Sequence, residues 1–206
     1  MKKLLSLIPL LGLAAGTASA DSYYSAQPAG GELTPYDLQP VYSLEALYNF
    51  SEKSQSPDTS GARLNFSLYS DGESAVRHQF SVSAAYERGT DKVSLFGSDD
   101  LFKVTAERMP LTLGYDVNIA LFENVMLDLG VKGGYAFGTA ELNAFGVKEH
   151  MGGATYSMGA GIKVQLSESV SGKLGYEFSR TFYRKFGPSH LNLNQHGIVL
   201  GVGVLF

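Results

Sequence analysis

The sequence predicts an all-β protein, an eight-stranded antiparallel up-and-down transmembrane β-barrel. Three observations predict it. Apolar and polar side chains alternate over eight segments after residue 40; long and short connections alternate between those segments; and the chain opens on an export-type segment that no apolar run long enough for a spanning helix follows.

The opening segment has the three parts of a signal peptide. Lys2 and Lys3 supply charge, Leu4 to Ala15 an apolar run, and Ala18-Ser19-Ala20 small residues for cleavage. Residues 1–20 are therefore expected to direct export and to be removed. Residues 21–40 hold three prolines, Pro28, Pro35 and Pro40, and a Gly pair without periodicity, so they read as a periplasmic leader or linker. The barrel is expected over residues 41–206. Cysteine is absent, which excludes disulfides and a lipid-modified cysteine. The net charge of −4, more negative still once Lys2 and Lys3 are gone, argues against a nucleic-acid binder.

Each strand is read from its two faces, since alternate side chains point to opposite sides. In the first, Tyr42, Leu44, Ala46, Tyr48 and Phe50 oppose Ser43, Glu45 and Asn49; in the second, Ala62, Leu64, Phe66 and Leu68 oppose Arg63, Asn65 and Ser67. The third sets Phe80, Val82, Ala84 and Tyr86 against Gln79, Ser81, Ser83 and Glu87. The fourth sets Met109, Leu111, Leu113, Tyr115 and Val117 against Arg108, Thr112, Gly114 and Asp116. In the fifth, Val125, Leu127, Leu129, Val131, Tyr135 and Phe137 oppose Asp128, Gly130, Lys132 and Gly134; in the sixth, Tyr156, Met158, Ala160, Ile162, Val164 and Leu166 oppose Thr155, Ser157, Gly159, Gly161, Lys163 and Gln165. Leu174, Tyr176 and Phe178 against Lys173, Gly175 and Glu177 make the seventh. Ile198, Leu200, Val202, Val204 and Phe206 against Gly197, Gly201 and Gly203 make the eighth.

Long loops are expected at 51–61, 88–102, 138–152 and 183–194. Tight turns are expected at Ser70-Asp71-Gly72, Phe122-Glu123-Asn124 and Ser167-Glu168-Ser169. Short turns belong on the periplasmic side of a membrane barrel and long loops outside. The even strand count then puts both chain ends in the periplasm.

A soluble barrel would alternate too, with its apolar face inward. Three features favour the inverse. Glycine is concentrated on the polar face, as a crowded narrow interior requires. The charges on that face balance, Glu45, Glu87, Asp116, Asp128 and Glu177 against Arg63, Arg108, Lys132, Lys163 and Lys173, as groups buried in a low dielectric must. These ten residues are expected to form an interior ion network, in which Lys132→Ala would leave an acid unpaired. Finally, aromatics gather near the loop-side ends of the apolar faces (Tyr48, Phe50, Tyr86, Tyr135, Phe137, Tyr156, Tyr176, Phe178) and near the turn-side ends (Tyr42, Tyr115, Phe206), forming two girdles.

With its signal peptide, its eight amphipathic strands and its ending Gln195 to Phe206, the sequence resembles the small outer-membrane β-barrel family that includes opacity-type porins and the transmembrane domain of OmpA. The resemblance covers residues 41–206. It implies an outer-membrane location of the Gram-negative type, and recognition by the barrel-assembly machinery through Val202, Val204 and the terminal Phe206. Leu205 departs from the commoner polar or basic penultimate residue. No peptidoglycan-binding domain is expected after the barrel.

The search for chemistry finds no site. A lipid A deacylase would need His-x-Ser near the last loop, and Ser189-His190-Leu191-Asn192 has Asn in place of that Ser. His78, His150 and His196 show no metal-ligand spacing. Gly133-Gly134 and Gly152-Gly153 lack the strand-to-helix setting of a phosphate loop. No catalytic residue, metal or cofactor is expected. Eight strands leave a lumen that side chains can fill, so bulk solute passage is not expected, and a narrow channel or small-molecule transporter is the second reading. A lipid A-modifying hydrolase is the third.

What remains is surface work on the loops. One pairs Val93, Leu95 and Phe96 with Asp99 and Asp100; another holds the basic-aromatic run Arg180 to Phe186, which suits anionic lipid headgroups. The expected role is structural or surface-interacting, as a monomer. The expected partners are outer-membrane lipid and lipopolysaccharide, with no nucleic acid and with the external ligand unnamed.

Overall fold

A computed structural model of the chain describes residues 38–51, 56–70, 76–94, 101–143, 145–186 and 189–205. The expected signal peptide 1–20, nearly all of the expected leader 21–40, and the terminal Phe206 lie outside the described residues.

Eight strands close into one ring in chain order: β1 (Leu38–Ser51), β2 (Thr59–Ser70), β3 (Val76–Ser94), β4 (Leu101–Phe122), β5 (Val125–Leu142), β6 (Val147–Gln165), β7 (Val170–Phe186) and β8 (Ser189–Leu205). Every neighbouring pair is antiparallel, and β1 closes the ring by pairing with β8 from Val41↔Leu205 to Ser51↔Gln195. Closure leaves no sheet edge, so backbone groups at membrane depth are satisfied within the wall. No helix among the described residues is long and apolar enough to cross a membrane.

The side chains decide which way the faces point. Leu64, Leu113, Phe80, Leu174, Val82 and Val131 are all more than half exposed, while Glu45, Arg63, Glu87, Arg108, Asp116 and Asp128 are buried. A barrel in water would reverse this; burying an apolar side chain is worth about 1.5–3 kcal/mol, and here dozens are left outside. The apolar belt therefore faces lipid. Glycines on the inner face make room for the charges: a Cβ at Gly201 would come within 2.9 Å of Glu45 Cγ.

The strands depart from expectation at their ends. β1 starts at Leu38, inside the stretch read as a leader. Residues 38–40 pair with β2 only, so Pro40 sits where one side of its strand has no described neighbour and its missing N–H breaks no ladder. Of the turn expected at Ser70-Asp71-Gly72, Asp71 and Gly72 lie outside the described residues. Glu123-Asn124 and residues 166–169 do connect β4 to β5 and β6 to β7.

The larger correction concerns the loops. Most of 88–102, 138–152 and 183–194 is strand. β3 and β4 stay paired out to Ser94↔Leu101, β5 and β6 to Leu142↔Val147, and β7 and β8 to Phe186↔Ser189. The β5–β6 hairpin ends on a tight turn in which Phe145 N donates to Leu142 O (3.1 Å) and Gly146 takes the left-handed conformation (φ 62°) that glycine adopts without strain. The basic-aromatic run is thereby split between faces. Arg180 and Phe182 share the outward side of Phe178, while Thr181 and Tyr183 are buried in the lumen.

Candidate functional site

Three regions carry whatever this barrel does: the lumen, the aromatic belts, and the part of the wall that rises past the loop-side belt.

In the lumen, the ten charged residues expected on the inner face do point inward, and most of them meet. Arg63 on β2 is the hub. Its guanidinium donates to Glu177 on β7 at 2.6 and 2.8 Å and to Glu45 on β1 at 3.1 Å. The bidentate pair with Glu177 crosses the lumen between strands that are not neighbours. Lys132 reaches Glu177 at 3.5 Å, and Lys173 bridges Glu45 (3.8 Å) and Asp128. Nearer the loops, Arg108 binds Glu87 through Nη2 (2.7 Å) and Nε (2.9 Å), and Asn49 (2.7 Å) and Thr59 (3.2 Å) donate to the same Glu87 oxygen. Tyr183, buried on the far wall, faces Arg108. Asp116 and Lys163 face a polar cavity, where Lys163 donates to Gln79 at 3.5 Å.

That cavity, about 40 Å³, fills the turn-side half of the lumen and is lined by all eight strands, with Ser43, Ser67, Ser81 and Ser171 among its walls. A smaller one of about 20 Å³ lies beside it, lined by Glu177 and Val199 among others. Asn65 Oδ1, Ser67 Oγ and Ser81 Oγ border the larger cavity, buried and without a protein partner. Buried polar atoms of this kind are normally satisfied by water, and a space of this size admits a few.

Several inward residues fall outside the sequence-based face assignment, and three of them form a cluster. Leu47, Ala85 and Val199 are buried together as an apolar cluster inside a polar lumen. On β1 the order of inward residues is Glu45, Leu47, Asn49, and on β3 it is Ser83, Ala85, Glu87. The apolar layer thus lies between Glu45 and Asn49 on β1 and between Ser83 and Glu87 on β3, beside Arg63, which pairs with Ala85 in register. The signal was present in the sequence as apolar residues on the polar side of the alternation.

Both belts form, with added members. On the turn side Tyr42 packs on Phe66 (5.1 Å between centroids), Phe80 on Tyr115 (5.0 Å), and His78 Nδ1 meets the Tyr115 hydroxyl at 2.6 Å. On the loop side His196 sits among Phe50, Tyr176 and Phe178, hydrogen-bonded to the Tyr176 hydroxyl. Just above, the Arg180 guanidinium stacks over Phe182 at 5.0 Å. His150 is exposed on the outward side opposite Thr139, and among the described residues no group of His, Asp or Glu is arranged to hold a metal ion. The side chain of His190 lies outside the described set.

The amphipathic pattern inverts past the loop-side belt. The register runs on without a bulge, so Val104, Ala106, Ala140, Leu142, Val147 and Met151 share the lumen side of Arg108 and Ala136. Lys103, Glu107, Thr139, Glu141, Lys148 and His150 share the outer side of Met109 and Phe137. Outside, Arg88 pairs with Glu107 at 3.3 Å. A wall that is apolar outside in one stretch and polar outside in the next has crossed from lipid to water. That inversion explains why the extensions read as loops.

An eight-stranded barrel with a lipid-facing apolar belt, two aromatic girdles and a charged interior is an outer-membrane architecture, and residues 7–206 match the family model described as outer membrane protein beta-barrel domain. The chain belongs to that family. Membership makes it a protein of an outer membrane. No curated protein sequence matches the chain. Among solved structures, this outer-membrane barrel is similar to Neisserial surface protein A (NspA), at 14% identity and a TM-score of 0.55 over 82% of this chain and 97% of that one. It is similar to a major outer membrane protein from Thermus thermophilus, at 12% and 0.51 over 83% and 100%. It is also similar to Ail, the attachment invasion locus protein of Yersinia pestis, in complex with the heparin analogue sucrose octasulfate, at 15% and 0.50 over 82% and 97%. At such identities the likeness is one of fold.

Proposed function

We propose that this chain is a surface-interaction barrel: a closed, non-enzymatic scaffold exported by residues 1–20, assembled as a monomer without cofactor, and working through the part of its wall that stands outside the membrane. The observation that carries this reading is the inversion above the loop-side belt, because a wall built past the membrane in water serves no spanning purpose. The similar fold of Ail, crystallised with a heparin analogue, supports external binding as a use for such a barrel. The narrow-channel reading is the alternative, and the ion pairs that Arg63 makes across the lumen with Glu45 and Glu177 weigh against it. Assembly would be directed by the C-terminal pattern of Val202, Val204 and Phe206.

The test is heat-modifiability with conductance. The unboiled protein is expected in the outer-membrane fraction, running faster than the boiled form, and silent in planar bilayers. A soluble protein without a mobility shift would overturn the barrel, and steady conductance would move the reading to a channel.

Lipid contact belongs to the same proposal. Arg180 stands at the top of the apolar belt, stacked on Phe182, with its Nε buried and without a protein acceptor. Such a group suits the phosphate of an outer-leaflet lipid or lipopolysaccharide. Arg180→Gln is expected to reduce lipopolysaccharide retained through purification several-fold, leaving the mobility shift unchanged; undiminished retention would remove this contact from the proposal.

A further inference from the structure

The wall outside the membrane has a concave side, and its composition suits a particular kind of guest. β3 to β6 run 19, 22, 18 and 19 residues and β7 and β8 17 each, against 14 and 12 for β1 and β2, so the rim is lowest at β1 and β2 and the β3–β6 wall stands high opposite them. The concave side of the high wall carries Val104, Ala106, Ala140, Leu142, Val147 and Met151, all of them at least partly exposed. From Gly138 to Leu142 this face rises about 13 Å at the usual strand spacing, and four strands make it about 14 Å wide. It can take one short segment of a partner, not a domain. Its floor is closed by the Glu87–Arg108–Tyr183 cluster, so a guest cannot continue into the lumen.

Charge narrows the choice. Alternation puts Asp91 and Glu149 on the concave side, both exposed, while Arg88, Lys92, Lys103 and Lys148 stand on the outer side. Among the described residues of this wall, every charged side chain that shares the apolar concave side above Glu87 and Arg108 is acidic. An apolar surface flanked by carboxylates complements a segment that is apolar and basic together. Resting on the surface-interaction reading, we infer that the concave face of the β3–β6 wall is a docking site for a cationic amphipathic peptide. Apolar side chains of the guest lie against Ala140, Leu142 and Met151. Its Lys or Arg residues meet Asp91 and Glu149 at the sides.

The experiment uses the full barrel in nanodiscs of zwitterionic lipid and a fluorescent peptide of alternating Lys and Leu, with empty discs as the reference. Binding above the empty-disc level is expected, weakening with added salt. Asp91→Asn with Glu149→Gln should weaken it about tenfold or more, as should Leu142→Gln with Met151→Gln. A peptide of alternating Ser and Leu should not bind. No binding by the parent, parent-like binding by both double variants, or equal binding of the neutral peptide would each overturn the site. The mobility shift on boiling is followed throughout: its loss would sink the barrel reading itself, whereas its persistence without peptide binding sinks the docking site alone.

Discussion

Replacing Arg63 by Met is expected to lower the stability of the folded barrel by about 3–5 kcal/mol, the cost of leaving buried charges without their partner. The geometry makes this the most damaging single change in the lumen. Arg63 holds Glu177 in a two-bond pair and Glu45 in a third contact, and all three side chains are nearly free of solvent. Without the guanidinium, Glu45 keeps Lys173 at 3.8 Å and Glu177 keeps Lys132 at 3.5 Å, distances at which an ammonium only partly compensates a carboxylate. Lys132→Ala, the change that the balanced charges single out from sequence, should cost much less, because Glu177 would keep both bonds to Arg63. The measurement is the urea midpoint of the folded form in detergent, followed by gel mobility. Equal midpoints for Arg63→Met and the parent would mean that the central network contributes no stability.

The contrast between Arg63 and Lys132 marks where a sequence stops being informative. Which side of a strand a residue occupies follows from parity, so all ten charged residues could be assigned to the interior from the alternation alone. Which of them touch could not. The bond from Arg63 to Glu177 joins residues far apart in the chain on strands that are not neighbours, and only closure of the ring brings them together. The strand ends were illegible for a different reason. A reader following apolar residues outward sees the pattern fail at Arg88, Glu107, Thr139 and Lys148 and infers loops. The backbone is indifferent to which face is apolar, and its hydrogen-bonded ladder continues through the change of solvent. The inner apolar layer escapes the sequence because Leu47, Ala85 and Val199 look like isolated irregularities in an otherwise polar series.

That layer leads to the second large effect. Leu47→Ser with Val199→Ser is expected to turn a silent barrel into a conducting one, with ion current in planar bilayers at least about tenfold above the parent's leak, because a narrow apolar constriction excludes water and a polar one does not. The prediction depends on where the polar and apolar groups lie. Below the layer are cavities with buried Asn65, Ser67 and Ser81 atoms that protein does not satisfy. Above it Glu87 meets Arg108, Asn49 and Thr59, and Thr155 meets Thr181 at 2.9 Å, while both side-chain amide atoms of Gln195 are buried without a protein partner. Leu47 lies between Glu45 and Asn49, and Val199 lines the smaller cavity together with Glu177. If the seal were the ion network, Arg63→Met would conduct and the serine pair would stay silent. If the seal is the apolar layer, the order reverses, since the network can loosen without wetting the constriction. Removing a buried Leu side chain costs about 2–5 kcal/mol, so the serine pair must first show the mobility shift of a folded barrel. A folded serine pair as silent as the parent would return the closure of this lumen to its charges.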